Sequence, residues 1–145
     1  MASVVRLALC CITFALSACS PSFPDKAGLR QLAEAFEEAN QADSINAMLD
    51  LYHLEGTDAI TRQLLKPVLQ SELGLPIRTI QFEPLSGAPE ENIGFEYEGR
   101  SYGPSLEPKL RMRVIYETED NFISLFSIGQ RTDGAWRIVS SRRID

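Results

Sequence analysis

The side chains of this 145-residue sequence best suited to covalent chemistry or proton transfer are three cysteine thiols and one histidine. The thiols of Cys10, Cys11 and Cys19 all lie near the start of the chain, in or just after an apolar run at residues 7–16. The histidine, His53, stands alone further along the chain. Because no cysteine follows Cys19, we predict no catalytic thiol, disulfide or thiolate metal site in the rest of the sequence.

The N-terminus has the pattern of an export signal. Arg6 precedes the apolar run at residues 7–16, which is shorter than the roughly 20 residues that a membrane-spanning helix needs. The sequence Leu16-Ser17-Ala18-Cys19 then resembles the lipobox of bacterial lipoproteins, an aliphatic residue followed by two small ones and a cysteine. This resemblance implies cleavage between Ala18 and Cys19 and acylation of Cys19. An ordinary signal peptide with a chance cysteine, or a buried N-terminal helix, would also fit the pattern.

These features divide the chain into three parts. Residues 1–18 are predicted as signal peptide, residues 19–26 as lipidated cysteine and tether, and residues 27–145 as the folded domain. The resemblance to lipoproteins implies a location in the bacterial cell envelope, facing the periplasm, with two or three acyl chains such as palmitate as a stable anchor. Ser20 lacks the acidic side chain that signals inner-membrane retention in some bacteria, which favours the outer membrane.

The charge balance bears on the partners of the folded domain. The sequence has 20 acidic and 14 basic residues, one of them Arg6, and a formal net charge of −6 at pH 7. Basic residues that neutralise phosphates supply most of the affinity for nucleic acids, so we predict no nucleic-acid binding. An acidic domain is not attracted to an anionic lipid surface either, and the membrane contact is therefore assigned to the acyl chains at Cys19.

Three helices are predicted before the strands. Residues 26–41 carry apolar side chains at helical spacing, and residues 45–52 repeat the pattern after a capping Asp43 or Ser44. A third helix is predicted between Asp58 and Gly74, kinked or restarted at its internal proline. Its predicted inward-facing side chains are Ile60, Leu64, Val68 and Leu69.

Strands are predicted over the rest of the chain. They cover residues 77–85, 93–102, 109–117, 122–130 and 135–144. Glu98-Gly99 would turn a short hairpin within the second of these segments. Glu119-Asp120 separates the third from the fourth, and Asp133-Gly134 is a strong two-residue hairpin signal between the last two.

These turns predict which side chains share a face of the sheet. A two-residue turn at Asp133-Gly134 pairs Gly129 with Ile138, and an even-length turn around Glu119-Asp120 pairs Val114 with Leu125. One face, assigned to the helices, then collects Leu110, Met112, Val114, Tyr116, Ile123, Leu125, Trp136 and Ile138. The other face collects Arg111, Arg113, Ile115, Phe122, Phe126, Ile128, Arg137 and Val139. A one-residue bulge would exchange part of these assignments.

The second face combines apolar side chains with arginines at its margin. Aromatic residues and arginine are enriched at protein interfaces. Two alternatives follow for Phe122, Phe126, Ile128 and Val139. They form a self-association surface that makes a homodimer, or they are covered within the monomer by the tether or by the strand near Phe82.

The order of these elements and two stretches of sequence resemble the nuclear-transport-factor-two-like superfamily. The final-strand sequence DGAWRIV, residues 133–139, resembles the ending common in that superfamily, and FEEANQADSINAMLDLY, residues 36–52, resembles its first helices. The resemblance implies a cystatin-like α+β cone, in which N-terminal helices pack on the concave face of a curved, mainly antiparallel sheet.

The resemblance also implies where a site would lie. In enzymes of this superfamily the pocket lies between the sheet and the helices, and catalysis often uses an Asp–His pair. The corresponding catalytic candidates are His53, Asp50 three residues earlier, and Tyr116 across the pocket. The residues expected to line the pocket are Tyr52, Met112, Val114, Trp136 and Ile138.

Three functional hypotheses follow. The leading one is a lipid-anchored, non-catalytic binding domain that holds a small apolar ligand in the cone or a protein partner on the sheet face. The alternative is an isomerase- or dehydratase-like enzyme in which His53 moves a proton. The third is an envelope scaffold whose cone is packed shut. No cofactor or metal is predicted, since the acidic hairpin tip at residues 117–120 lacks the oxygen cage that calcium needs.

Overall fold

The computed structural model describes residues 25–145. The predicted signal peptide, the cleavage position after Ala18 and the lipidation of Cys19 lie outside the described residues.

The described part is an α+β fold in which three helices precede a curved, mainly antiparallel sheet, as predicted. The helices are α1 (Lys26–Gln41), α2 (Ile45–Leu49) and α3 (Ala59–Glu72). The strands are β1 (Tyr52–His53), β2 (Ile77–Pro84), β3 (Phe95–Tyr97), β4 (Arg100–Pro104), β5 (Leu110–Tyr116), β6 (Ile123–Gln130), β7 (Trp136–Val139) and β8 (Ser141–Arg143).

Helix α1 forms as its apolar spacing predicts. The Asp25 carboxylate caps its first turn by accepting the Gly28 N–H at 2.9 Å, which satisfies one of the otherwise unpaired N-terminal donors. Its buried apolar side chains are Leu29, Leu32, Phe36 and Ala39. The Phe36 ring packs against the Phe126 ring with centroids 5.5 Å apart, which places α1 on the inner face of the sheet.

The predicted second helix is too long. Helix α2 ends at Leu49, and Tyr52 and His53 form β1, which pairs in parallel with β7 through Tyr52 and Ile138. The Leu51 carbonyl accepts the Ile138 N–H at 2.9 Å. Buried backbone N–H and carbonyl groups at the edge of β7 require hydrogen-bond partners, and residues 51–53 supply them. This pairing stabilises the extended conformation of Tyr52 and His53 more than their local helical pattern stabilises a helix.

Helix α3 buries a different side from the one predicted. Leu69 is buried as predicted, and Thr61, about two turns earlier, lies on the same buried side, whereas Leu64 is 47% and Val68 56% exposed. The positions 60, 64 and 68 and the positions 61, 65 and 69 have the same helical spacing, so the pattern alone does not choose between them. Pro67 lies inside α3 without ending it.

The strands form two sheets. The larger sheet has the order β1-β7-β6-β5-β2 and the smaller one the order β3-β4-β8. The predicted last strand is interrupted at Ser140, so that β7 belongs to the larger sheet and β8 to the smaller. At the interruption the hydroxyls of Ser140 and Ser105 donate to the His53 carbonyl at 2.6 and 2.7 Å.

The predicted register of β6 is wrong by one residue. Val114 lies opposite Ser124 and Ile128 opposite Ile138, because both turns contain an odd number of residues. The Tyr116 N–H donates to the Phe122 carbonyl across residues 117–121, and Arg131 donates to Ala135 across residues 132–134. In the second turn Gly134 takes a positive φ of 86°, as in three-residue hairpin loops.

The register decides the two faces of the larger sheet. The predicted inner residues of β5 and β7 are confirmed as core residues. In β6 the faces are exchanged: Phe126 and Ile128 point to the helices, whereas Ile123 and Leu125 are exposed on the outer face. Phe122, Phe126, Ile128 and Val139 therefore do not form one exposed surface. Phe122 stacks on Tyr116 with ring centroids 5.6 Å apart, and Val139 is 4% exposed.

A pair of alanine substitutions in β6 tests this register. Ile128 is fully buried and Leu125 is 52% exposed. Ile128→Ala is expected to lower the free energy of unfolding by about 2–5 kcal/mol, because it leaves a cavity in the core. Leu125→Ala is expected to change it by no more than about 0.5 kcal/mol. Chemical denaturation measures both, and the reverse order of the two effects would contradict the register.

Candidate functional site

The three catalytic candidates do not meet at one site. Asp50 is exposed at the end of α2, whereas His53 lies in β1 and Tyr116 is fully buried at the end of β5. Among the described residues, no hydrogen bond or ion pair joins any two of the three. The structure therefore does not assemble the Asp–His–Tyr arrangement that the superfamily resemblance implied.

The hydroxyl of Tyr116 belongs to a small polar cluster in the interior. It donates to Glu72 Oε2 at 3.1 Å, and Ser124 Oγ donates to Glu72 Oε1 at 2.8 Å. Burial, followed by the negative charge of Glu72, raises the pKa of Tyr116 above its usual value, so the phenol stays protonated. Sequence reasoning missed Glu72, which follows Leu65 and Leu69 at helical spacing on the buried side of α3.

His53 is held mainly by its backbone. Its Nε2 atom lies 3.6 Å from the Glu55 carboxylate, and its buried Nδ1 atom has no hydrogen-bond partner. Its carbonyl oxygen accepts the two serine hydroxyls at the interruption between β7 and β8. The backbone of His53 therefore stabilises the place where the two sheets meet. Its imidazole has only the Glu55 carboxylate nearby as a charged partner.

All five expected pocket residues belong to the buried core, and four of them have no surface on the groove described below. Met112, Val114 and Ile138 are at most 1% exposed, and Trp136 is 3% exposed. The Trp136 indole N–H donates to Asp25 Oδ2 at 3.1 Å, which ties the ring to the start of α1. Met112, Val114 and Ile138 fill the space between helices and sheet, whereas Trp136 also borders a cavity of about 740 Å³ beside α1, together with Leu32 and Asp50.

The fifth, Tyr52, lies at a groove between α3 and the smaller sheet, which we call the α3 groove. Its volume is about 310 Å³. Its lining includes Leu64, Leu65 and Val68 of α3, Ile93 just before β3, Phe95 in β3, and Tyr52. Leu64, Val68 and Phe95 are all large apolar side chains with more than a third of their surface exposed. Three such residues on one groove make a contiguous apolar site.

The elements around the α3 groove are fixed by hydrogen bonds. Asp58 caps α3 by accepting the Thr61 N–H at 2.9 Å, and it accepts the Tyr102 hydroxyl of β4 at 3.0 Å. The Thr61 and Ser141 hydroxyls lie 3.3 Å apart. The Phe95 ring stacks on Tyr102 with centroids 4.7 Å apart. These contacts hold α3 at a set distance from the smaller sheet and keep the groove open.

The α3 groove suits the binding of apolar groups. Tyr52 borders the groove but is only 8% exposed, and burial, followed by the charge of Glu72, raises the pKa of its hydroxyl. The groove lining contains no Asp, Glu, His, Lys or Arg side chain. It can exclude water from an apolar group, but it presents no acid–base pair.

Arg111 and Arg113, two of the three arginines assigned to the outer face, are already paired. Arg111 and Arg113 both form ion pairs with Glu83, and Arg111 also pairs with Glu91 at 3.1 Å. Glu91 accepts the N–H groups of Ser86 and Gly87, which fastens the chain after β2 to the sheet. The arginines therefore serve the fold and are not free for a partner.

Two further properties of residues 25–145 limit the range of functions. No helix in this part of the chain is long and apolar enough to cross a membrane. Within the same residues, no group of three or more His, Cys, Asp or Glu side chains could hold a metal ion.

Comparison with known proteins adds no family. The sequence matches no protein-family model and no curated protein at a significant level of similarity.

The ion pairs on Glu83 predict loss of stability in acid. Hydrogen bonds from Arg113 and then Arg111 lower the pKa of Glu83 from 4.5 to about 2. A lowered folded-state pKa contributes stability that is fully present above pH 4.5 and is lost as the pH falls towards 2. Glu83→Gln is therefore expected to flatten the dependence of unfolding free energy on pH in that range.

Chemical denaturation at several pH values between 2 and 6 measures this effect. Glu38→Gln, on the exposed side of α1, is the matched control and is expected to keep the slope of the unmodified protein. An unchanged slope in Glu83→Gln would show that the two arginine contacts do not stabilise the folded state.

Proposed function

We propose that this protein is a lipid-anchored interaction domain of the bacterial cell envelope, which binds apolar groups of a partner in the α3 groove. The observation that carries the proposal is the convergence of exposed Leu64, Val68 and Phe95 on one groove, while Met112, Val114 and Ile138 of the expected pocket are fully buried. Exposed large apolar side chains gathered in this way are typical of binding sites.

Two physical reasons favour binding over catalysis. The α3 groove is lined by apolar side chains and neutral hydroxyls, so it has no group that would exchange a proton near pH 7. The side chains with acid–base chemistry, His53, Asp50 and Tyr116, lie apart, and the Tyr116 hydroxyl is engaged by Glu72. A non-catalytic role needs no further assumption about these residues.

The anchor in this proposal is an acylated Cys19. It is supported by the sequence Leu16-Ser17-Ala18-Cys19 and by the charged residue and apolar run before it. The six residues from Cys19 to Pro24 precede Asp25, and six extended residues span at most about 20 Å. The domain would then stay near the lipid surface, with the outer membrane as the favoured location.

The finer description of the fold belongs to the same proposal. We infer a cystatin-like cone of the nuclear-transport-factor-two-like type. Helices before a curved sheet, a packing contact between Phe36 and Phe126, and the hairpin before Trp136 support this inference. In this cone the interior is filled, and the binding surface lies outside it.

Replacement of the lipidated cysteine tests the anchor. Cells that express the full-length chain are grown with a labelled fatty acid, and their membranes are separated from soluble proteins. The unmodified protein is expected to carry label and to sediment with membranes, whereas Cys19→Ser is expected to carry no label. Cys10→Ser is the matched control and should keep the label. Labelling of the Cys19→Ser protein would contradict the proposed anchor.

Site-specific photo-crosslinking tests the α3 groove. Benzoylphenylalanine placed at Val68 in the full-length chain is expected to form adducts in intact cells after illumination. The same amino acid at Ile123, which is 42% exposed on the outer face of the larger sheet, is the control and should form few. Leu64→Glu should remove the adducts at position 68, because a charge in the groove opposes burial of an apolar group. No adducts at position 68, or equal adducts at both positions, would contradict the proposal.

A further inference from the structure

The free edge of β3 runs beside the α3 groove. The smaller sheet has the order β3-β4-β8, so β3 has a strand on one side only among the described residues. All three residues of β3 are exposed. Phe95 belongs both to this edge strand and to the groove lining. The edge and the groove therefore form one continuous surface.

The backbone of Glu96 points to that free edge. Glu96 lies opposite Ser101 of β4. The Ser101 N–H donates to the Asp145 side chain at 3.3 Å and the Ser101 carbonyl accepts the Ile144 N–H at 3.0 Å, both away from β3. In an antiparallel ladder, a residue opposite such a position directs its own N–H and carbonyl outward. Glu96 thus presents one donor and one acceptor to an added strand.

Side chains on the edge alternate between the two faces of the smaller sheet. Phe95 and Tyr97 lie on the face towards the groove, where Phe95 stacks on Tyr102. Glu96 lies on the opposite face, and Glu98 follows at the turn, also exposed. Arg100 of β4 lies opposite Tyr97, and the Glu96 carboxylate accepts the Ser101 hydroxyl at 2.6 Å. On β3 itself, Glu96 is thus the charged side chain of one face, and Phe95 and Tyr97 are the aromatic side chains of the other.

We propose that an extended segment of a partner protein, with basic and apolar residues in alternation, adds to β3 as a fourth strand of the smaller sheet. Its apolar side chains enter the α3 groove against Val68 and Phe95, and its basic side chains face Glu96. Strand addition of this kind takes affinity from main-chain hydrogen bonds and specificity from pockets for alternate side chains. Because β3 has only three residues, the groove must supply much of the affinity. This inference rests on the proposed interaction role and names its partner class.

A synthetic peptide of alternating lysine and valine, seven residues long and labelled with a fluorophore, tests the proposal. Binding to the full-length protein in phosphatidylcholine nanodiscs is followed by fluorescence anisotropy, with empty nanodiscs as the blank. We expect saturable binding that weakens at least tenfold in Val68→Glu and in Glu96→Lys. Leu125→Ser, on the outer face of the larger sheet, is the matched control and should bind as the unmodified protein does. Thermal unfolding by circular dichroism confirms that each variant is folded.

Two altered peptides separate strand addition from other modes of binding. A peptide with glutamate in place of lysine should bind at least tenfold more weakly, and so should one whose backbone is N-methylated at alternate residues. Undiminished binding of the N-methylated peptide would show that main-chain hydrogen bonds do not contribute and would overturn the strand proposal. Adducts at position 68 that join two copies of the chain would identify a second copy as the occupant and overturn it too. Adducts at position 68 without any peptide binding would overturn this inference and leave the proposed function standing.

Discussion

Strand β6 lies in the centre of the larger sheet, and only one of its faces can pack against the helices. The lengths of the turns before and after β6 determine which face that is. An odd number of residues in each turn places Phe126 and Ile128 inside and leaves Ile123 and Leu125 outside. Phe126 then meets Phe36 of α1, and Ile128 lies opposite Ile138 of β7. A shift of one residue would bring a different set of side chains under the helices, because side chains alternate along a strand.

The second organising feature is the interruption of the last strand at Ser140. Up to Val139 the chain belongs to the larger sheet, and from Ser141 it belongs to the smaller one. The hydroxyls of Ser105 and Ser140 satisfy the His53 carbonyl where regular pairing stops, as buried polar groups require. The smaller sheet is thereby turned towards α3, and the α3 groove lies between them.

The polar chemistry of the described residues is used mainly to hold this arrangement. Glu72 binds the hydroxyls of Tyr116 and Ser124 in the interior, and Glu83 binds two arginines on the outer face. Tyr116, a catalytic candidate from the sequence, and Arg111 and Arg113, candidates for an interface, thus make contacts that stabilise the fold. The apolar side chains that stay exposed, such as Leu64 and Val68, are therefore the more informative guide to function.

The sequence by itself determined the fold class, the N-terminal caps of α2 and α3, and the inner faces of β5 and β7. These depend on local periodicity and capping chemistry, which act over a few residues. Tertiary structure alone decided the end of α2, the buried side of α3 and the register of β6. In each case the local sequence fitted two arrangements, as on α3, where either Leu64 or Leu65 could face the core. Contacts with residues distant in sequence decided between them. The α3 groove could not be read from the sequence, because its walls come from segments that meet only when both sheets and α3 are assembled.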